Sequence, residues 1–369
     1  MSQILSAVYQ EKRTIKIIQP VLIVLVVYII FTVFLLRYFQ GDISCLVHAG
    51  LTFTNPAEAP KGLCLVDQGD GYDGQFNYRF ALNPFSNQPV YQGISIDRPS
   101  YRYQRIFYSF LTWAITGGNS TWIPVVLVLI NLVSACGLTA MSAKYALDQG
   151  RNSHWSLALG LYLGFLLSYA LDLGHTLEIV LLFAALFFVK KKDVWAIILL
   201  TCAVLTRETA VLFAAALLIT AYFQRWQRWY LYLLPAGVFI AWQAFLLWFW
   251  QDVPNLIPGE SLGLPLAGFF AGFSAAWQNA DIFGIGLLIL VVIFTGVVLF
   301  ALWRKPIPLY IKLAWLFYSA MAMMMSLEVW IKFNGYLRGL SEWYFLSCLI
   351  IFPLIKLPKW PWKTGWRTR

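Results

Sequence analysis

Apolar runs at or near the length of a bilayer crossing recur along the whole chain, separated by short polar breaks. The pattern predicts helices over 17–39, 122–143, 155–171, 173–189, 194–205, 209–223, 229–250, 282–303, 310–327 and 336–355. Two neighbouring pairs are split only by polar breaks around 172–175 and 206–208, so each pair reads either as two crossings or as a re-entrant hairpin. The fold expected is an all-α, polytopic transmembrane bundle of about ten spans, because only helices satisfy their own backbone groups in lipid. The whole of 1–369 reads as one membrane domain.

Between the first two spans lies the longest polar segment, 41–105. Five prolines from Pro56 to Pro99 punctuate it, so its helices must be short. One is expected over 72–82, ended by Asn83-Pro84. The aromatic stretch 105–116 is too short to cross and is expected in the interface. A second loop, 251–280, carries Asp252, Glu260, several glycines and three prolines, and reads either as a lid or as a passive connector.

Composition agrees with the pattern. The chain is 60% hydrophobic and 12% charged, with a mean hydropathy of +0.68, whereas soluble domains carry about twice that charge fraction. Basic residues fall on every second connection: Lys12, Arg13 and Lys16, then Lys144 and Arg151, Lys190-Lys191-Lys192, Arg225 and Arg228, Arg304-Lys305, and the tail from Lys356 to Arg369. Lys and Arg stay on the cytoplasmic side, so both termini are expected there, with 41–105 and 251–280 outside. The net charge of +10 then reflects topology and contact with membrane lipids, and no nucleic acid is expected as a partner. The first apolar run is too long for a signal peptide and lacks a cleavage site, so it reads as an anchor. Cys136, Cys202 and Cys348 lie in spans as packing residues. Cys45 and Cys64 share the first loop, which fits a disulfide in an oxidising compartment without demanding one.

This topology gathers most acidic residues, and the arginines it does not itself require, towards the outer side. Each has a structural and a functional reading. Asp73, in Tyr72-Asp73-Gly74-Gln75, would serve as a helix N-cap or as a catalytic carboxylate. Asp70 before Gly71 would be a turn residue or a substrate contact. Arg98, Arg102 and Arg105 would anchor at the interface or grip phosphate, which matches the planar fork of a guanidinium. Arg207-Glu208 would lock two helices or face a cavity, as would Asp172. His175 alone reads more naturally as structural. Arg338, at the mouth of the last span, is a further phosphate candidate. Tyr72, Phe76, Tyr78, Tyr101 and Tyr103 would stack on sugar faces. The sequence has neither a phosphate-binding glycine loop after a strand nor a metal-spaced His/Cys cluster. Asp70, Asp73 and Asp97 could gather round a divalent cation, but no metal and no other cofactor is favoured.

A carboxylate beside arginines at a membrane surface suits sugar transfer from a lipid phosphate. The run Tyr72-Asp73-Gly74-Gln75-Phe76-Asn77-Tyr78, followed by Arg105-Ile106-Phe107-Tyr108, resembles the first-loop element of class C (GT-C) glycosyltransferases. More narrowly, it is similar to PIG-V-like mannosyltransferases and their bacterial relatives in cell-surface glycopolymer formation, as is Thr206-Arg207-Glu208-Thr209. It departs in having Tyr72 where Trp is usual, and no large soluble C-terminal domain follows. The resemblance implies Asp73 as catalytic base of an inverting-type transfer. It implies substrate contacts among Asp70, Tyr72, Gln75, Tyr78, Arg79, Arg102, Arg105, Asp172, His175, Arg207, Glu208 and Arg338. The partners implied are a polyprenyl-phosphate-linked sugar donor and a glycan or lipid-linked acceptor, at the outer face of a bacterial plasma membrane. The rival reading is a transporter or flippase for lipid-linked glycans, against which stands the absence of internal repeats.

Overall fold

A computed structural model describes residues 2–251, 262–304 and 306–354. The predicted contributions of Asp252, Glu260, Lys305 and the basic tail from Lys356 onward lie outside the described residues. The chain is mostly helical, with seventeen α-helices among the described residues. Its strands are two minimal pairs in the first loop: Ala49–Gly50 parallel to Leu65–Asp67, and Val90–Tyr91 antiparallel to Ile94–Ser95.

Four helices are long and apolar enough to cross a membrane: Arg13–Tyr38, Ile123–Asp148, Trp229–Trp250 and Ile282–Arg304. Of the roughly ten spans expected, these four have the length and composition to cross. The runs predicted at 173–189, 194–205 and 209–223 form helices of 14 residues each, about 21 Å long, against a hydrocarbon core of about 30 Å. Leu309–Met324 has 16 residues. The run at 155–171 breaks into a 3₁₀ turn and two short helices, Leu157–Gly160 and Leu163–Ala170. The run from 336 breaks into Phe333–Gly339 and Ser341–Ile351.

The second loop is also more ordered than expected, because Ala267–Gln278 is a helix. Its glycines are contact points rather than hinges. A Cβ on Gly268 would lie 2.2 Å from the Met325 carbonyl oxygen, and one on Gly272 would lie 2.8 Å from that of Trp330. Their missing side chains let this helix lie against Leu327–Trp330.

The short helices make the core, and the long ones present apolar faces outward. Ile30, Phe34, Ile240, Trp248 and Ile282 are each more than 60% exposed, a surface suited to lipid rather than water.

Contacts give the bundle two distinct ends. At one, Arg13 and Lys144 pair with Asp148, Arg151 donates to the Pro353 carbonyl, and the Tyr232 hydroxyl donates to Asp193. The helix His175–Phe188 starts at the opposite end and packs against Asp193–Thr206, which returns to it. That hairpin brings His175 and Glu178 beside Thr206 and Arg207.

The first loop is fastened to this second end. Cys45 and Cys64, 19 residues apart, form a disulfide, and Asp42 caps the turn Ile43–Val47 by accepting from the Ser44 amide. Closing a loop of that size restricts the unfolded chain by about 3 kcal/mol. Cys45→Ser with Cys64→Ser is therefore expected to hasten proteolysis within 41–105 under native conditions. Cleavage as slow as in the wild-type protein would remove the bridge from the account of loop order.

Candidate functional site

The helix Gly74–Leu82 carries the first-loop chemistry. It ends where Asn83 is forced into extended backbone ahead of Pro84. Asp73 holds the N-cap position, yet its side chain makes no capping bond. Its Oδ1 instead accepts from Arg102 Nη1 at 2.6 Å, and the side chain remains 36% exposed. The same guanidinium gives Nε and Nη2 to the two oxygens of Asp97, at 2.9 and 2.8 Å. Its carbon also stands 4.4 Å from the centre of the Phe76 ring. Burial pushes the Asp97 carboxyl up, but the Arg102 hydrogen bonds and charge outweigh it and hold Asp97 below the usual carboxylate range. Arg102 is thus a fixed clamp between two carboxylates.

A small cavity of about 40 Å3 opens beside Asp73. Asp73, Asn77 and Arg102 line one wall, His175, Thr206 and Arg207 another, and Arg105 and Tyr108 stand between them. Arg105 grips Glu208 with two nitrogens at 2.8 and 2.6 Å and also donates to the Tyr101 hydroxyl at 3.0 Å. Arg207 Nη1 is shared between Glu342 Oε1 at 3.0 Å and Glu178 Oε2 at 3.4 Å. Thr209 Oγ1 donates to the same Glu342 oxygen at 2.5 Å. Both glutamates are fully buried. Arg338 donates to the Tyr72 hydroxyl and lies 4.8 Å from the Tyr72 ring centre.

Several residues expected to touch substrate serve the scaffold instead. Gln75 is fully buried, accepting from the Gly50 amide and Thr54 hydroxyl and donating to the Asp70 carbonyl at 2.7 Å. Tyr78 is buried and donates to the Ser120 carbonyl at 3.3 Å. Arg79 is fully buried, donating to the Gln88 carbonyl and lying over the Tyr91 ring. Burial pushes its guanidinium down to about 10, still charged at neutral pH. The Asp70 side chain is exposed and without a partner among the described residues. Turn formation falls to Asp67, whose carboxylate accepts from the Gly69 and Gly71 amides. Asp73 and Asp97 do converge, on a guanidinium, and Asp70 is not with them.

Asp172 lies behind the cavity wall rather than on it. It is fully buried in left-handed backbone, φ 48°, and both carboxylate oxygens lack a hydrogen-bond partner among the described residues. Its carbonyl accepts from Asn77 Nδ2 at 2.9 Å, which ties the first loop to the hairpin. Asn77 escaped the sequence reading, although a helical step of four from Asp73 puts both on one face. Glu178 and Glu342 were also left without a role, and a buried arginine needing two acids was the signal for them.

Gly74 sets how close this helix comes to the bundle. A Cβ there would lie 2.6 Å from both the Leu171 and Val47 carbonyl oxygens. Gly74→Ala is expected to push this helix off the bundle and to lower the melting temperature, by about 1–3 kcal/mol of overpacking. A variant that melts with the wild type would show that the close approach is not needed. No family model matches the chain, and neither a curated protein nor a solved structure matches it.

Proposed function

We propose that this chain is a membrane-embedded glycosyltransferase of GT-C type that moves a sugar from a polyprenyl phosphate to the hydroxyl of a glycan or lipid-linked acceptor. One observation carries the reading: the Asp73 carboxylate stands at the cavity, aimed by Arg102 and partly open to solvent. In the transfer, the acceptor hydroxyl gives its proton to Asp73 as its oxygen bonds to the anomeric carbon. The bond from that carbon to the phosphate oxygen breaks, and its electron pair leaves with the polyprenyl phosphate. A single displacement of this kind inverts the anomeric centre.

Three features support the outer face of a bacterial plasma membrane as the place of reaction. The Cys45–Cys64 disulfide suits an oxidising compartment. The basic groups expected in the cytoplasm, Arg13, Lys144 and Arg151, meet at the end of the bundle away from the cavity. Apolar outer helices suit a lipid surround from which a polyprenyl donor would enter sideways. About ten crossings, with both termini cytoplasmic, result if the short and broken helices count as crossings.

The test is turnover of radiolabelled polyprenyl-phosphate sugars by the full-length protein in membranes, wild type against Asp73→Asn. A carrier of lipid-linked glycans would move the same donor across the membrane with every glycosidic bond intact, and that result would replace this reading.

A further inference from the structure

Four arginines act on the space around Asp73, and they are not equivalent. Arg102 is committed to Asp97 and Asp73, Arg105 to Glu208, and Arg207 to Glu178 and Glu342. A substrate anion approaching any of these three must displace a carboxylate that is already well bound. Arg338 differs. Its Nε donates to the Asn334 carbonyl at 2.8 Å, its Nη2 to the Tyr72 hydroxyl, and its face lies on the Tyr72 ring. All of these partners are neutral, and among the described residues no carboxylate lies within ion-pair distance of Arg338. Its charge nevertheless acts on His175 in the cavity wall, and it feels Asp73, Arg207 and Arg105.

A half-buried guanidinium beside two others, with only neutral partners, is electrostatically incomplete. Burial removes part of its hydration, its like-charged neighbours repel it, and the one acid it feels, Asp73, is bound to Arg102 instead. An anion arriving at that point would gain from all three conditions.

We propose that Arg338, beside the cavity, receives the phosphate of the lipid-linked substrate, and that Tyr72 holds Arg338 in place for it. The inference deepens the transferase reading and rests on it for the identity of the anion. On binding, a phosphate oxygen takes the Nη2 hydrogen now given to the Tyr72 hydroxyl, and the ring stays beneath the guanidinium as a platform. Arg102 meanwhile keeps both its carboxylates, so the base stays aimed while the donor docks. Two tasks are thereby divided, Arg102 positioning the base and Arg338 holding the anion.

The experiment measures binding of farnesyl phosphate to the purified full-length protein in detergent, with farnesol and glycerol phosphate as controls. Arg338→Gln is expected to weaken farnesyl phosphate binding by about tenfold or more, the loss of one charge-assisted contact, and to leave farnesol binding unchanged. Arg338→Lys is expected to fall between the two. Tyr72→Phe is expected to tighten binding by up to a few-fold, because the resting partner is gone. Elution as a single species and the melting temperature report folding of each variant, and if Arg338→Gln does not fold, Arg338→Lys decides.

Wild-type affinity for farnesyl phosphate in the folded Arg338 variants would overturn the proposal. Equal affinity for glycerol phosphate and farnesyl phosphate would overturn its lipid part, leaving a seat for soluble phosphate. Weakened binding in Arg338→Gln, together with a wild-type protein that transfers no sugar, would keep the seat and remove the transferase reading.

Discussion

Asp73→Asn is expected to lower sugar transfer by about 10²–10⁴-fold, the usual contribution of a positioned general base. The substitution is nearly isosteric, and the amide oxygen still accepts from Arg102 Nη1, so the clamp on Asp97 survives. What disappears is the capacity to take a proton from the acceptor hydroxyl. Donor affinity should change little, because the groups proposed to hold the phosphate lie elsewhere. The loss should therefore fall on kcat rather than on KM for the donor. Turnover within about twofold of wild type would sink Asp73 as the base, whatever else the cavity does.

The second large effect expected is on stability. Among the described residues, Arg207 is the cation that bridges two fully buried glutamates, Glu178 and Glu342. Arg207→Met fills similar space but leaves both acids without their positive partner. Breaking a buried ion pair from one side costs about 3–5 kcal/mol. A loss of that size should appear as a sharp fall in melting temperature and in folded yield. Adding Glu178→Gln and Glu342→Gln to the same chain should recover much of it, since neutral amides no longer need the charge. A single variant that melts with the wild type would mean the three groups are not coupled, and a triple variant no better than the single would mean packing decides instead.

How far this arrangement could be read from sequence depends on what each signal measures. Charge in an apolar chain is costly, so Asp73, Arg102, Arg105, His175, Arg207 and Glu208 stood out, and the fold does gather them. The same argument carried Gln75, Tyr78 and Arg79 along as neighbours in one polar run. Helical geometry separates them. At about 100° per residue, Asp73, Phe76 and Asn77 share a face, and Gln75, Tyr78 and Arg79 take the other side, where they are buried.

The count of spans is legible only in part, for a different reason. Hydropathy registers an apolar run, not its environment, and the 14-residue helices are apolar because they pack in the protein core. The helix Ala267–Gln278 was missed because its glycines read as flexibility, whereas they permit contact with the chain at Met325 and Trp330. Long-range pairs such as Tyr72 with Arg338, or Arg207 with Glu342, leave no local mark at all.

Those pairs bear on how the molecule is made. Glu342 and Arg338 both come from the final helical segments, Phe333–Gly339 and Ser341–Ile351. During synthesis Arg207 can meet Glu178 as soon as the hairpin has formed, giving a neutral pair able to wait in an apolar setting. The second acid, and the partner of Tyr72, arrive only with the last stretch of chain. The cavity's own lining comes from residues 73–207, so a protein arrested before residue 333 would have its walls but neither Glu342 behind Arg207 nor Arg338 on Tyr72.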